Sequence, residues 1–292
     1  MIVCNAYAKV NLVLQVLWRR PDGFHEVASV LQTIDLHDVV RVGPGAELAF
    51  SCSDASLATP DNLALRAARL LRERKGVQRG ATIHLEKHVP AAAGLGGGSS
   101  DAAATLLALA QLWGLRLAEA ERDELAAALG SDVPFFLRGG TALATGRGEH
   151  VESLPAAPER WLVLLRPRIR LANKTAVLYR SLSPAHFDDG SAVAAAVAEI
   201  RAGRFPADEL LANTFEKVAD EVFAGLQAAR ARFRAAARGR AVHLAGAGPT
   251  LFAHFAARGE AEQVLATLAV QGEEVYLARS GEWRPQPVML DN

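Results

Sequence analysis

The chain has 292 residues, half of them hydrophobic, and its 32 basic and 32 acidic side chains cancel at neutral pH. A neutral chain of this length holds one large or two ordinary domains and shows no electrostatic footprint for DNA, RNA or an anionic membrane. Its two cysteines, Cys4 and Cys52, are too few for a disulfide framework, and no His or Cys cluster marks a metal site; a reducing, cytoplasmic setting is expected.

In chain order, Ala8, Val10, Leu12, Leu14 and Val16 alternate with Lys9, Asn11 and Gln15, which predicts a half-buried strand. Asn5, Lys9 and Asn11 interrupt the apolar N-terminus, so no signal peptide is expected. Arg20-Pro21-Asp22-Gly23 predicts a turn, and β-type runs follow at 27–34, 39–42 and 47–51. A helix opens at Asp61, with Leu63, Ala67, Leu70 and Leu71 on one face, and stops at Gly76. A strand over 81–86 leads into a glycine-rich segment at 94–98 and then a helix over 99–113. Its apolar run, Ala102 to Leu115, is too short to span a bilayer. A helix over 118–129 ends at Gly130, and Ser131-Asp132-Val133-Pro134 predicts a turn, because the residue before proline avoids the helical region.

A strand over 141–145 precedes a loop at 151–159 containing Pro155 and Pro158, which places a domain boundary there: residues 1–153 and residues 154–292. The second half reads as a strand at 161–165, alanine-rich helices between 191 and 236, strands at 241–244 and 251–255, a helix over 259–269 and a strand at 274–278. The tail from Pro285 to Asn292 reads as frayed. Strands and helices mix in both halves, so the fold class is α+β.

The densest chemical signal is Pro90-Ala91-Ala92-Ala93-Gly94-Leu95-Gly96-Gly97-Gly98-Ser99-Ser100, set between a strand and a helix. Glycines let backbone N–H groups turn toward a ligand, and a helix start adds free donors and the positive dipole end, so the segment predicts a phosphate cradle. Ser99 and Ser100 are placed to cap the helix. The segment lacks the Gly-Lys-Ser/Thr ending of a P-loop and, with Ser99 in the third glycine's place, fails the dinucleotide spacing.

This segment resembles the second motif of the GHMP kinases. Within them, the triple glycine with two serines is similar to the branch that phosphorylates 4-diphosphocytidyl-2-C-methyl-D-erythritol. The same likeness runs through Ala8 to Leu12, Arg20 to Glu26, Asp61-Asn62-Leu63, Ser131 to Phe136 and Leu244 to Thr250, in family order. The resemblance implies a two-domain GHMP kinase fold, ribosomal-S5-domain-2-like in its N-terminal half and ferredoxin-like in its C-terminal half. It also implies ATP bound with Mg²⁺ along residues 90–100, and an acceptor carrying a cytidine diphosphate group. Another GHMP kinase, of the homoserine or mevalonate type, is the alternative; an RNA-binding relative of the N-terminal fold is the non-enzymatic one.

The resemblance further implies that Asp132 is the base and Lys9 its partner. Locally, Asp132 also suits a helix N-cap, and Lys9 a solvated strand lysine. Asn11 is implied to bind the erythritol chain, Phe24 to stack on cytosine where the family has Tyr, and His25 to read the base edge. Thr175 and Tyr179, equally readable as helix packing, would form a second aromatic wall. Gly246 and Gly248 keep the turn of the third motif, while Ala245 and Ala247 replace its usual serines. Ser100 is a candidate toward Mg²⁺, with Asp101 next to it; the metal ligands stay open.

Overall fold

In the computed structural model, which describes residues 1–290, a long first strand, β1 (Ile2–Arg19), pairs antiparallel with a longer second one, β2 (His25–Gly45). Arg20 to Phe24 makes the hairpin turn: Gly23, at φ +85°, donates its N–H to the Arg20 carbonyl, and Phe24 N–H donates to Asp22 Oδ1. β2 then forks the sheet, pairing with β5 (Thr141–Thr145) through Ser29–Gln32 and with β4 (Gly80–Glu86) through Val39–Gly45. β3 (Leu48–Cys52) lies parallel to β4, β6 (His150–Ser153) pairs with β5, and β11 (Val288–Met289) pairs with the start of β1, giving seven strands. One face is covered by α1 (Leu63–Arg74), α2 (Gly97–Trp113), α3 (Glu119–Leu129) and α4 (Val133–Arg138).

The other sheet has four antiparallel strands in the order β10–β7–β9–β8: β7 (Trp161–Arg166), β8 (His243–Leu244), β9 (Leu251–Phe255) and β10 (Glu274–Arg279). Between β7 and β8 run α5 (Lys174–Ser181), α6 (Ser191–Arg201), α7 (Glu216–Val222) and α8 (Leu226–Ala236), and α9 (Arg258–Val270) joins β9 to β10. Counting from β7 the spatial order is 4-1-3-2, the split β-α-β arrangement of ferredoxin-like folds. The molecule is therefore a two-domain α+β protein, as expected. Among the described residues no helix is long and apolar enough to cross a membrane.

Four local expectations change. β1 is buried on both faces from Ala8 through Val16, not half-buried. Its second face is taken by the other half: Leu14 bridges Asn213, Gln15 Oε1 accepts from Val193 N at 3.0 Å, and Val16 N donates to Thr214 Oγ1 at 2.8 Å. The runs at 27–34 and 39–42 are one strand. The boundary loop opens with β6, paired to β5, before the chain turns irregular. The tail is not frayed at Val288 and Met289, which pair with Val3 and Ile2; Asp291 and Asn292 lie outside the described residues. In the first half, α1 begins at Leu63, capped by Asn62, whose side chain accepts from Ala64 N; such caps are worth about 1 kcal/mol.

Candidate active site

The glycine loop is held from three sides. The Lys9 N–H donates to the Leu95 carbonyl at 3.0 Å, tying the loop to β1. Gly96 takes φ +73° and is itself the residue before α2, which begins at Gly97, not Ser99. Ser99 and Ser100 therefore lie inside the first turns and make no cap, contrary to expectation. A Cβ on Gly96 would stand 2.5 Å from the Phe136 ring and 3.1 Å from Lys9 Cγ, so only glycine lets α4 and β1 close on the loop. The open N–H groups of α2 face a cleft of about 380 Å³ that also reaches Leu57, Asn62 and Leu63. Below it Lys87 Nζ donates to Asp101 Oδ2 at 2.9 Å and bonds Asp38, and Asp101 Oδ1 has no partner. Burial pushes the Asp101 carboxyl well above the usual carboxylate range, against the pull of Lys87.

Lys9 and Asn11, two residues apart in β1, project from one face of the strand, flanked by register shifts between Tyr7 and Lys9 and between Asn11 and Val13. Lys9 is 4% exposed; its ammonium donates to Asn11 Oδ1 at 2.6 Å and lies 3.7 Å from Asp132 Oδ2. Asn11 in turn donates to Ser29 Oγ at 2.7 Å. Burial lowers the Lys9 pKa, and Asp132 opposes that shift. Asp132 stands at the N-cap position of α4 but makes no capping bond, so the local alternative, a turn cap, is not what its carboxylate does. The helix starts at Val133, ahead of Pro134; a proline in a first turn removes only an N–H that has no helical partner. A carboxylate beside a buried ammonium can accept a proton while the cation offsets negative charge arriving from elsewhere.

The third glycine motif docks on the loop. Thr250 N donates to Ala93 O, and a Cβ on Gly94 would stand 2.1 Å from Ala245 O. Gly246, at φ +53°, turns toward Lys9 and Asn11: a Cβ there would be 3.0 Å from Lys9 Nζ and 3.1 Å from Asn11 Oδ1. Gly248 instead faces Leu244 and Phe223. Buried Asn213 steadies the turn, donating to the Leu244 and Gly246 carbonyls at 2.9 Å each.

On the far side of Asp132 opens a cleft of about 840 Å³ lined by Phe24, His25, Thr175 and Tyr179. Phe24 is 54% exposed, with the Arg147 guanidinium 4.8 Å above its ring. Tyr179 stacks directly on His25, with centroids 4.8 Å apart, and meets Phe215 edge-on, so it backs His25 more than it opposes Phe24. Burial and the nearby Arg19 lower the His25 pKa, which keeps its imidazole neutral at pH 7 with one donor and one acceptor. Sequence reasoning missed Arg19, Arg147, Arg180 and Phe187 in this cleft. Arg147 had a readable signal, a lone arginine between Gly146 and Gly148; Gly148 comes within 3.8 Å of Asp132 Oδ1 at its Cβ position.

An anion cradle and a proton acceptor brought together by two α+β halves mark a phosphotransferase of the GHMP kinase class, and the family described as GHMP kinases N terminal domain matches residues 62–140. The chain is 40% identical over 278 residues to a 4-diphosphocytidyl-2-C-methyl-D-erythritol kinase of Dehalococcoides mccartyi, covering 95% of this chain and 97% of that one. It is 41% identical over 285 residues to the enzyme so named in Pelotomaculum thermopropionicum, covering 96% and 98%. The chain belongs to the 4-diphosphocytidyl-2-C-methyl-D-erythritol kinase family. A crystal structure of 4-(cytidine 5'-diphospho)-2C-methyl-D-erythritol kinase superposes with a TM-score of 0.81 at 35% identity, over 96% of this chain and 99% of that one. A homoserine kinase from Cytophaga hutchinsonii superposes at 0.76 with 17% identity, over 99% and 97%, a likeness of fold alone.

Proposed function

We propose that this protein transfers the γ-phosphoryl group of ATP to the 2-hydroxyl of 4-diphosphocytidyl-2-C-methyl-D-erythritol, a step of the non-mevalonate route to isoprenoid precursors. The observation that carries this is the position of the Lys9–Asp132 pair, between the glycine-loop cleft and the aromatic cleft. ATP lies with its phosphates along Pro90–Ser100. The acceptor's cytosine stacks on Phe24 and meets the neutral edge of His25, with Tyr179 behind it and Thr175 alongside, while Asn11 and the turn at Gly246 face its erythritol end. The acceptor hydroxyl gives its proton to the Asp132 carboxylate as its oxygen bonds to Pγ. The bond from Pγ to the β-phosphate oxygen breaks, and its electron pair leaves with ADP. Lys9, 3.7 Å from the Asp132 carboxylate, offsets charge on the moving group.

The cleft offers Mg²⁺ carried in on the nucleotide an unpartnered side-chain oxygen, Oδ1 of Asp101, which would hold it as the ionised carboxylate; Ser100 is buried within α2 and does not line that cleft. When bound, the ion neutralises phosphate charge. We place the division of the two domains at 153/154, with the reaction in the cleft between them. The free thiols of Cys4 and Cys52 suit a cytoplasmic enzyme.

Transfer is tested by ³¹P NMR with both substrates: a new phosphomonoester and ADP are expected, and ADP without acceptor phosphorylation would contradict the proposal. Phe24→Ala should raise the acceptor KM about 5- to 100-fold and leave the ATP KM nearly unchanged, because stacking on an aromatic is worth about 1–3 kcal/mol per base. Parallel changes in both KM values would place the base elsewhere.

A further inference from the structure

Lys174 opens α5, the helix that carries Thr175 and Tyr179. It sits on the far side of the third glycine turn, where its ammonium donates to the Ala247 carbonyl at 3.1 Å and also bonds the Gly248 carbonyl. Two residues back along the same turn, Gly246 abuts Lys9 Nζ, Asn11 Oδ1 and the Gly94 carbonyl of the phosphate loop. The turn is thus pressed between two ammonium groups. Ala245, Gly246, Ala247 and Gly248 give this turn no side-chain hydroxyl.

We propose that Lys174 is a positioning residue for phosphoryl transfer, which holds the third glycine turn against the phosphate loop and adds a second positive charge beside Lys9 for the transferred group. Two of its three N–H bonds are spent on carbonyls. Those bonds fix the turn that Gly94 and Lys9 lean on, and the charge supplements Lys9 from the other side of a turn that has no polar side chain of its own. No proton or phosphoryl group passes through Lys174.

The charge is conditional. Burial, and to a lesser extent repulsion from Lys9, lower the Lys174 pKa to about 8. The charged groups near it are Lys9 on β1 and, beyond Lys9, Asp132 at the start of α4; Tyr179, on its own helix, stays neutral because burial and Asp132 raise its pKa. As pH rises through about 8, Lys174 loses its proton and the site loses a cation. Nucleotide affinity and kcat/KM for ATP should therefore fall on that limb.

The proposal rests on the kinase reading, so the test carries one readout that needs no acceptor. ATP affinity by calorimetry and kcat/KM for ATP are measured from pH 6 to 10 for the wild type, Lys174→Met and Lys174→Arg. Lys174→Met should lose about 10-fold or more in kcat/KM at pH 7, less than the about 10²–10³-fold lost with a donor that touches the reacting oxyanion itself. The pH 8 limb should be absent in it. Lys174→Arg should recover most of the loss and, being charged throughout, should also lack the limb. A purely structural lysine would lower the Tm of Lys174→Met and leave the limb in place. Wild-type values in Lys174→Met, or a limb near pH 8 surviving in both variants, would overturn the proposal. Absence of transfer by the wild type would count against the kinase reading instead, and the ATP affinities would still decide for or against Lys174.

Discussion

Asp132→Asn should lower kcat by about 10²–10⁴-fold, the usual contribution of a positioned general base, while the affinities for ATP and acceptor stay close to wild type. The amide keeps the size of the carboxylate but cannot take the acceptor's proton. Because Asp132 makes no capping bond to α4 and is 42% exposed at its side chain, the variant should also keep its Tm within a few degrees. Lys9→Met should lower kcat as well, and the double variant should lose less than the product of the two, since groups acting as a unit are not additive. Near-wild-type turnover with a lowered Tm would return Asp132 to a structural role.

Gly96→Val is expected to damage both the loop and the fold. Its φ of +73° suits glycine and strains any β-branched residue, at about 1–3 kcal/mol. Its new Cβ would stand 2.5 Å from the Phe136 ring and 3.1 Å from Lys9 Cγ, adding about 1–3 kcal/mol of overpacking. Relieving that clash pushes α4 and Lys9 apart, so ATP affinity and kcat should both fall and the Tm should drop by several degrees or more. Gly98→Ala is the contrasting case: its Cβ meets only Leu63 Cδ1 at 3.6 Å, and its Tm should match the wild type. Gly97 is crowded by Val89 Cγ1 at 3.0 Å and Lys87 Nζ at 3.3 Å, so a side chain there also disturbs the Asp38–Lys87–Asp101 cluster. Equal Tm values for Gly96→Val and Gly98→Ala would refute the packing account.

What could be read from the sequence was what short stretches of chain determine. The glycine loop, the strand carrying Lys9 and Asn11, the Arg20–Phe24 turn and the segment bearing Asp132 each carry their signal within about ten residues, and the family likeness ordered them. The order β10–β7–β9–β8 followed from that likeness, not from periodicity. Features set by distant partners were not legible. The alternation in β1 implied a solvated face, yet Gln15 and Val16 bond to Val193 and Thr214 on the other half. The long β2 was broken in two because its halves serve different neighbours, β5 and β4. Ser99 looked like a cap because the left-handed turn at Gly96, which starts α2 two residues earlier, depends on Phe136 and Lys9 closing over it. Lys174 had no local mark at all, because the carbonyls it bonds are more than seventy residues away in the chain.

The identity of the acceptor is tested most directly by kcat/KM measured side by side for 4-diphosphocytidyl-2-C-methyl-D-erythritol, homoserine and mevalonate with saturating ATP. The exposed stacking ring of Phe24 and the neutral imidazole of His25 find no base to stack on or read in homoserine or mevalonate, and sites built around polar contacts reject analogues lacking them by about 10⁴–10⁵-fold. A preference of that order for the cytidine-bearing substrate is expected. Comparable kcat/KM values for all three, or a preference for homoserine or mevalonate, would contradict it.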